Sequence, residues 1–293
     1  MAVNTKAIKH RIKSVGSTKK ITKAMEMIAA AKMRKAVNAA LDARSYATLA
    51  WGLLLNLSKT QKTEIPLLAI RPVEKILMII ITSNRGLCGS FNSNIIKKTA
   101  AQLKTEKANV DVIGIGKKGA DFAKKMGFNL VAAFTNMTDT PSLDDALPIA
   151  KMVIDAYTNK SYDKVIVAYT DFKSAIFQLA KLKQVLPIAE DDLEKMAAET
   201  EKSDKLNLNE YLFEPNKLDV LQMILPRLVE TQIYQTMLES AASEHSARMM
   251  AMRSASDAAS DMIKELNLNF NKARQAGITQ EIAEIAGGAA ALE

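Results

Sequence analysis

Two long stretches without glycine or proline constrain this chain more than any other feature. One covers residues 227–276, and the other covers residues 17–51. Both are typical of long helices, because glycine and proline are the residues that most disfavour a helix interior. At a rise of ~1.5 Å per residue, the later stretch alone would extend for ~75 Å, about twice the width of an ordinary domain of this size. The sequence therefore predicts two rods, one near each end of the chain.

Apolar residues in both rods recur at intervals of three and four, the spacing of one helix face. The first rod contains Ile21, Met25 and Ile28, and the second contains Leu225 and Leu228. Neither helix can bury such a face alone, so the simplest arrangement is an antiparallel coiled coil of the N- and C-terminal helices. Polar residues interrupt the second face, and we expect them to be partly exposed or bonded to the first rod: Gln232, Gln235 and His245.

The middle of the chain alternates between apolar runs and helical patterns. Residues 76–81 are continuously apolar, as in a strand that is covered on both faces. This alternation predicts an α/β domain with a largely parallel sheet, inserted between the rods. Residues 177–188 lack a distinctive pattern, and an edge strand is one interpretation. The expected strands are residues 74–82, 110–115, 130–134 and 165–169, and the expected helices are residues 93–104, 119–126 and 143–157.

The predicted domain organisation has five segments. Residues 190–204 carry seven acidic residues against two lysines and lack periodicity, which is typical of a loop. The segments are an N-terminal coiled-coil helix at 1–58, a linker at 59–74, the α/β domain at 75–188, an acidic loop at 189–210 and a C-terminal coiled-coil helix at 211–293, which packs on residues 1–58.

The chain's net charge of +8 is concentrated at its beginning. Residues 1–44 contain eleven Lys or Arg and two acidic residues, a balance of +9. A basic helix of this kind suits an acidic partner surface, phosphate or lipid head groups, but it is equally compatible with a solvated face. Tyr46 is the one aromatic residue near the basic cluster, so stacking platforms for bases are absent and we expect no nucleic acid partner.

Cysteine, histidine and apolar content exclude several further classes. One cysteine and two histidines cannot supply a zinc cage, so we expect no metal site. The longest apolar run is far shorter than the ~20 residues that a membrane span requires. The first residues lack the features of a transit peptide, so we expect neither a cleaved signal nor a transmembrane segment.

A glycine-rich turn at residues 114–119 matches the dinucleotide fingerprint Gly-x-Gly-x-x-Gly, and Asp139 follows at the distance expected for a ribose-binding acid. The turn follows the second strand of the domain, whereas the fingerprint belongs after the first, and Asp139 lies in a loop rather than at a strand end. We therefore interpret the glycines as a turn and expect no cofactor. A nucleotide-binding α/β enzyme with coiled-coil arms stays as the alternative.

A second loop, at residues 83–92, also contains glycines that could hold an anion at a helix start. It lacks the Lys-Ser/Thr ending of a nucleotide-binding P-loop, so we do not expect hydrolysis there. Cys88 lies in this loop without a histidine near it in sequence. A buried, unreactive thiol is the expected role, and no catalytic residue is predicted in the chain.

Motifs along the whole chain resemble those of one family. Residues 8–15 (IKHRIKSV) and 20–34 (KITKAMEMIAAAKMR) resemble the opening signature of the rotary (F-type) ATP synthase gamma subunit. Residues 243–252 (SEHSARMMAM) and 271–285 (NKARQAGITQEIAEI) resemble its closing signatures. The loop at 83–91 and the segment YLFEP at 211–215 resemble its middle motifs.

This resemblance implies a noncatalytic central-stalk rotor. The terminal helices would form a bent coiled coil inside the hexamer of alpha and beta subunits, one copy per complex. The inserted domain would be a Rossmann-like α/β domain of largely parallel strands that lies outside the hexamer with the epsilon (delta-type) subunit and rests on the membrane c-ring. Rotation of that ring would then drive the binding changes of ATP synthesis or hydrolysis. The implied location is the cytoplasmic face of a bacterial cell membrane, where the subunit is peripheral.

The resemblance also assigns contact residues. Those implied to face the catalytic ring are Lys23, Met25, Arg274, Gln275 and Thr279. Those implied to face the epsilon subunit or the c-ring are Arg85, Tyr211, Phe213 and Glu214. Gly16 stands where the family usually keeps a helix former, so we expect the first rod to kink or begin there, and Gly277 to weaken the last helix locally.

Overall fold

The computed structural model describes residues 5–58, 65–106, 108–188 and 216–290. Helix α1 covers Thr5–Ser58, and the C-terminal helix, α5, covers Lys217–Ala290. Both helices are longer than the corresponding stretches without glycine and proline. Helix α1 runs through Gly16, so the expectation that the rod begins there is wrong. Helix α5 runs through Gly277 and also contains Pro226, which costs one backbone hydrogen bond in an otherwise long ladder.

Five strands form one sheet between these helices. Strands β1 (Lys75–Ile81), β2 (Asn109–Ile115), β3 (Asn129–Phe134) and β4 (Lys164–Phe172) are parallel neighbours in the order β3-β2-β1-β4. Strand β5 (Gln178–Leu186) pairs antiparallel with β4 at the edge. The helices between strands are α2 (Phe91–Thr105), α3 (Lys117–Lys125) and α4 (Leu143–Thr158). The predicted Rossmann-like domain is confirmed, and the ambiguous segment forms the edge strand.

Alternate residues of the central strands pack into two separate apolar layers. On one face, Ile76, Met78 and Ile80 of β1 join Ile95 of α2 and Ala123 of α3. On the other face, β1 and its neighbours join α4 and the first part of α5. This second layer includes Leu221, Leu225, Leu228, Val229, Ile233 and Met237 of α5. Because both faces are covered, β1 can be apolar throughout.

The segment just before β1 is part of this core. Ile65 and Leu67 are buried in the layer that contains α4. Tyr157 of α4 donates its hydroxyl hydrogen to the carbonyl oxygen of Ala69 at 2.7 Å, and Arg71 lies over the Tyr157 ring at 4.3 Å. Burial raises the pKa of the Tyr157 hydroxyl. These contacts attach the described part of the predicted linker to the domain.

The chain separates into two compact units: residues up to Ala29 with those from Arg248 onward, and residues 30–247. In the first unit, the beginning of α1 and residues 266–276 of α5 line one groove. Ala29 of α1 and Met252 of α5 are both buried, whereas residues 277–289 are exposed. A parallel arrangement would bury the end of α5 beside Ala29, so the packing is antiparallel, as predicted. No helix in the described ranges is both long and apolar enough to cross a membrane.

Candidate partner-binding surfaces

The carboxyl edge of the parallel sheet is where ligands bind in open α/β folds. Here atoms of the loop after β1 accept hydrogen bonds from the backbone N–H groups at the start of α3. The backbone N–H of Gly119 donates to Thr82 Oγ1 at 2.7 Å, and that of Lys117 donates to Asn84 Oδ1 at 3.0 Å. The N–H of Lys118 donates to the carbonyl oxygen of Ser83 at 3.3 Å. A pyrophosphate would need these N–H groups, and the chain itself already satisfies them.

The glycines of the turn are explained by close packing. Gly116 has φ +87°, and a Cβ added there would lie 2.1 Å from the carbonyl oxygen of Thr82. A Cβ on Gly114 would lie 3.0 Å from the backbone of Ala120, and one on Gly119 would lie 3.0 Å from Thr82 Oγ1. Gly116 requires glycine because of its positive φ and this contact, and Gly114 and Gly119 lie where β1, β2 and α3 approach closely. The interpretation of the fingerprint as a turn agrees with this geometry.

Asp139, the residue spaced like a ribose-binding acid, has different partners. Its carboxylate forms an ion pair with Lys32 of α1. Its carbonyl oxygen lies 2.7 Å from Nε2 of His245 in α5. The hydrogen bond from Lys32 holds the pKa of the Asp139 carboxyl below its ordinary value, and the positive charges of Lys32 and Arg85 act in the same direction. Nothing in the spacing of the sequence predicted this pairing.

Helix α5 also covers the carboxyl end of β4. Ser243 donates to the carbonyl oxygen of Thr170 at 3.1 Å, and Ser246 donates to that of Ala175 at 2.6 Å. The part of the sheet edge next to β4 is therefore occupied by the chain's own helix. Gln232 and His245 are buried, so the expected partial exposure is wrong for them, whereas Gln235 is half-buried, as expected. Nε2 of His245 is bonded to the loop after β3.

The loop at residues 83–92 is held closed by one amide. Asn92 donates from Nδ2 to Ser83 Oγ at 2.7 Å and to Cys88 Sγ at 3.1 Å, while its Oδ1 accepts from the Ser83 N–H at 3.0 Å. Cys88 is buried, as expected for a structural thiol. Arg85, implied to face the epsilon subunit or the c-ring, has an exposed side chain on this loop.

At Ile21 and Ile28, the apolar face predicted for the first rod is wrong by one residue. Ile21 and Ile28 are more than half exposed, at 60% and 55%, whereas Thr22 and Ala29 are buried. In this part of the coil, Thr22 and Ala29 therefore face the inside, whereas Ile21 and Ile28 face outward. The prediction failed because Ile21 and Ile28 have the same spacing as Thr22 and Ala29, and the more apolar pair dominates the periodic pattern. Exposed apolar side chains grouped in this way are typical of surfaces that bind proteins.

The residues implied to meet the catalytic ring lie on the surface of the coil. Lys23 is exposed and its Nζ is 3.0 Å from Glu26 Oε2, and Met25 is half-buried. Arg274, Gln275 and Thr279 are all exposed. Thr279 donates to the carbonyl oxygen of Gln275 at 3.0 Å, so these two residues lie one turn apart on the same side of α5.

The remaining sequence predictions concern residues outside the described ranges. Tyr211, Phe213 and Glu214 belong to residues 189–215, as does the predicted acidic loop. Among the described residues, no three His, Cys, Asp or Glu side chains are grouped so as to hold a metal ion.

Together these features define a class of protein: two terminal helices that pack against each other and carry an inserted α/β domain whose usual ligand edge is filled by its own chain. A family model described as ATP synthase matches residues 4–292. The ATP synthase gamma chain of Pelotomaculum thermopropionicum is 41% identical over 287 residues, which cover 98% of each chain. That of Dehalococcoides mccartyi is 43% identical over 292 residues, or 99% of each chain. The chain belongs to the ATP synthase gamma-chain family.

Solved structures agree with this assignment. A chain from the central stalk and c-ring structure of Tetrahymena thermophila mitochondrial ATP synthase superimposes with a TM-score of 0.61 and 28% identity, covering 80% of this chain and 99% of that one. A chain of the Euglena gracilis mitochondrial ATP synthase rotor gives a TM-score of 0.65 over 94% of this chain and 98% of that one. Its identity is 20%, so it supports the fold.

Proposed function

We propose that this chain is the noncatalytic rotor of a bacterial ATP synthase, present in one copy per complex. It would couple rotation of a membrane c-ring to a hexamer of alpha and beta subunits, with an epsilon subunit beside the α/β domain. It would be peripheral on the cytoplasmic face of the cell membrane. The observation that carries the proposal is the coil surface: most residues of α5 beyond Met252 are exposed, although the helix continues to Ala290.

A rotor changes the state of a neighbour only if it makes different contacts with each state, because differential affinity alone shifts a conformational equilibrium. A coil of two unequal helices offers different side chains to neighbours on different sides. On α1 the exposed groups include Lys23, Met27 and Ile28, and on α5 they include Arg274 and Gln275. These groups are suited to ring subunits that meet the coil successively as it turns.

The positive charge of α1 also supports the proposed binding to ring subunits. The basic residues of α1 include Lys19, Lys20 and Lys23, which are all exposed. A positively charged rod attracts acidic loops over about the Debye length of ~8 Å at physiological salt, without requiring fixed geometry. We therefore expect acidic loops on the catalytic subunits opposite this part of α1, and no nucleic acid partner.

The alternative of a nucleotide-binding enzyme has less support. The α3 N–H groups that would bind phosphate are bonded to Thr82, Ser83 and Asn84. A nucleotide would have to displace this loop. Equilibrium dialysis of the full chain with NAD or ATP checks the point: micromolar binding that is lost in Lys117→Ala, a variant of an exposed residue, would restore the enzyme interpretation.

Reconstitution with alpha and beta subunits tests the proposal directly. The full chain should form one complex with the hexamer and activate its ATPase. A chain ending at Asp261 keeps the part of α5 that packs in the domain core but lacks most of the exposed part. We expect this shortened chain to fold and to activate the ATPase less. Equal activation by the two chains, or no complex with the full one, would refute the proposed role.

A further inference from the structure

One residue of the α/β domain contacts both terminal helices. Asp139 lies in the loop between β3 and α4, at the carboxyl edge of the sheet. Its carboxylate pairs with Lys32 of α1, and its carbonyl oxygen accepts a hydrogen bond from His245 Nε2 of α5. The partners are 107 residues before it and 106 residues after it in the chain. All three residues belong to the same compact unit.

The loop that carries Asp139 is stiffened from within. Thr138 donates through Oγ1 to the carbonyl oxygen of Thr140 at 2.7 Å and also lies 3.3 Å from Asp145 Oδ2. Ser142 and Asp145 form a reciprocal capping box at the start of α4. Hydrogen bonds from Ser142 hold the pKa of the Asp145 carboxyl below its ordinary value. The loop is thus bonded to the first turn of α4, and a displacement of α4 displaces Asp139 with it.

The contact with α5 is buried. His245 is 2% exposed, and its Nε2 must carry a hydrogen because the carbonyl oxygen can only accept. The Asp139 carboxylate next to this contact is also close to two positively charged groups, Lys32 on α1 and Arg85 on the loop after β1. Loss of the hydrogen bond would leave the ring N–H with one partner fewer in a dry environment, which strongly favours the bonded arrangement.

We propose that Asp139 is a positioning residue that holds α1 and α5 in a fixed register on the α/β domain, so that rotation of the domain carries both helices together. This inference rests on the proposed rotor function. The position that a nucleotide-binding relative of the fold would use for a ligand is used here for mechanical attachment. The apolar packing of α5 fixes its distance from the sheet. The directional bond at Asp139 helps to fix its position along the edge, together with the bonds from Ser243 and Ser246, and Asp139 also bonds to α1.

The test uses the full chain assembled with its ring and stalk subunits in inverted membrane vesicles. Three variants remove parts of the contact: Lys32→Gln, Asp139→Asn and the two combined. Asp144→Asn is the matched control. Asp144 is exposed and lies five residues after Asp139, so the substitution removes the same charge without touching the contact. Two quantities are measured: hydrogen exchange of residues 135–142 and 30–36, and the ratio of ATP-driven proton transport to ATP hydrolysis.

We expect each single variant to accelerate exchange in both segments about two- to fivefold, the range that corresponds to an exposed ion pair. The double variant should exchange no faster than the faster single variant, because the two side chains act as one pair. The transport ratio should fall in all three and stay unchanged in Asp144→Asn. Additive exchange effects, or a ratio equal to that of the control, would overturn the inference.

The buried side of the contact is tested at His245. His245→Gln retains an N–H donor of similar reach, whereas His245→Leu removes it. We expect His245→Gln to preserve the ratio of transport to hydrolysis and His245→Leu to lower it. Equal ratios in the two variants would count against the inference. If Asp139→Asn does not assemble, the result for Lys32→Gln tests the inference instead, because the Lys32 side chain is 38% exposed and can be replaced without loss of the fold. Failure of the wild-type chain to support transport would instead refute the proposed function.

Discussion

Two parts of helix α5 differ in burial although they belong to one helix. Residues 221–246 face the sheet, and most of their apolar side chains are buried. From residue 261 onward most side chains are exposed, including Leu268 at 55% and Ile282 at 62%. The first part is an anchor in a domain core, and the second is a surface without such a core. Continuous helical hydrogen bonding therefore does not imply uniform stability or a uniform role along the helix.

The largest expected difference between the two parts is the cost of removing an apolar side chain. Ile233→Ala should lower the free energy of unfolding by about 2–5 kcal/mol, because Ile233 is fully buried and a cavity would remain. Leu268→Ala should change it by less than about 0.5 kcal/mol, because Leu268 is already exposed. Urea unfolding of the full chain measures both values. Similar losses for the two variants would show that the exposed part also belongs to a core.

Glycine substitutions sharpen the same comparison. Gly116→Ala should destabilise the anchored unit by about 1–3 kcal/mol, because of its positive φ and the contact with Thr82. Gly277→Ala should stabilise the chain by about 0.5–1 kcal/mol, because it lies inside a helix with nothing within 4 Å of the added Cβ. Thermal unfolding checks the opposite signs. A stabilising Gly116→Ala would contradict the close packing of the turn.

Within helix α5, binding to the catalytic ring should depend on the exposed part and not on the anchored part. Arg274→Ala should weaken binding to the alpha–beta hexamer by about 1–2 kcal/mol, roughly five- to thirtyfold, if Arg274 is an anchor of that interface. Its unfolding free energy should stay within about 0.5 kcal/mol of the wild type, because Arg274 is exposed. Gln280→Ala, one and a half turns away, is the control. Titration of labelled hexamer gives the affinities, and identical values would remove Arg274 from the interface.

The smallest expected effect is a pH dependence at Asp139. The folded-state pKa is below the ordinary 3.8, so the ion pair stabilises the fold above that value and its contribution is lost as pH falls through the lower folded pKa. The stability difference between wild type and Asp139→Asn should be constant from about pH 7 to 5 and shrink below about pH 4. Asp261, paired with Lys264 on the exposed part, is the comparison. A difference that grows in acid would have the wrong sign.

Much of the fold could be predicted from the sequence because its signals are local. The continuous apolar run of β1 requires cover on both faces, and it has that cover. The absence of glycine and proline marked most of both rods. Local signals failed where a residue depends on distant neighbours: Gly16 and Pro226 are tolerated inside helices, and Thr22, rather than Ile21, faces the inside of the coil.

Contact residues could be anticipated in part. The exposed positions of Lys23 and Arg274 follow from their polarity, but their assignment to partners came from family resemblance. The role of Asp139 could not be found in the same way, because its two partners are more than a hundred residues away. Its spacing from the glycine-rich turn matched that of a ribose-binding acid, whereas in the structure it contacts Lys32 and His245.

The sequence by itself determined the elements of this protein: two long terminal helices, a sheet of largely parallel strands and a basic beginning. These depend on periodicity, composition and glycine content, which act over a few residues. The tertiary structure alone decided which edge of the sheet is filled, which face of α1 is inside and which residue joins both helices to the domain. Those outcomes depend on close approach between segments far apart in the chain, and no local pattern encodes such an approach.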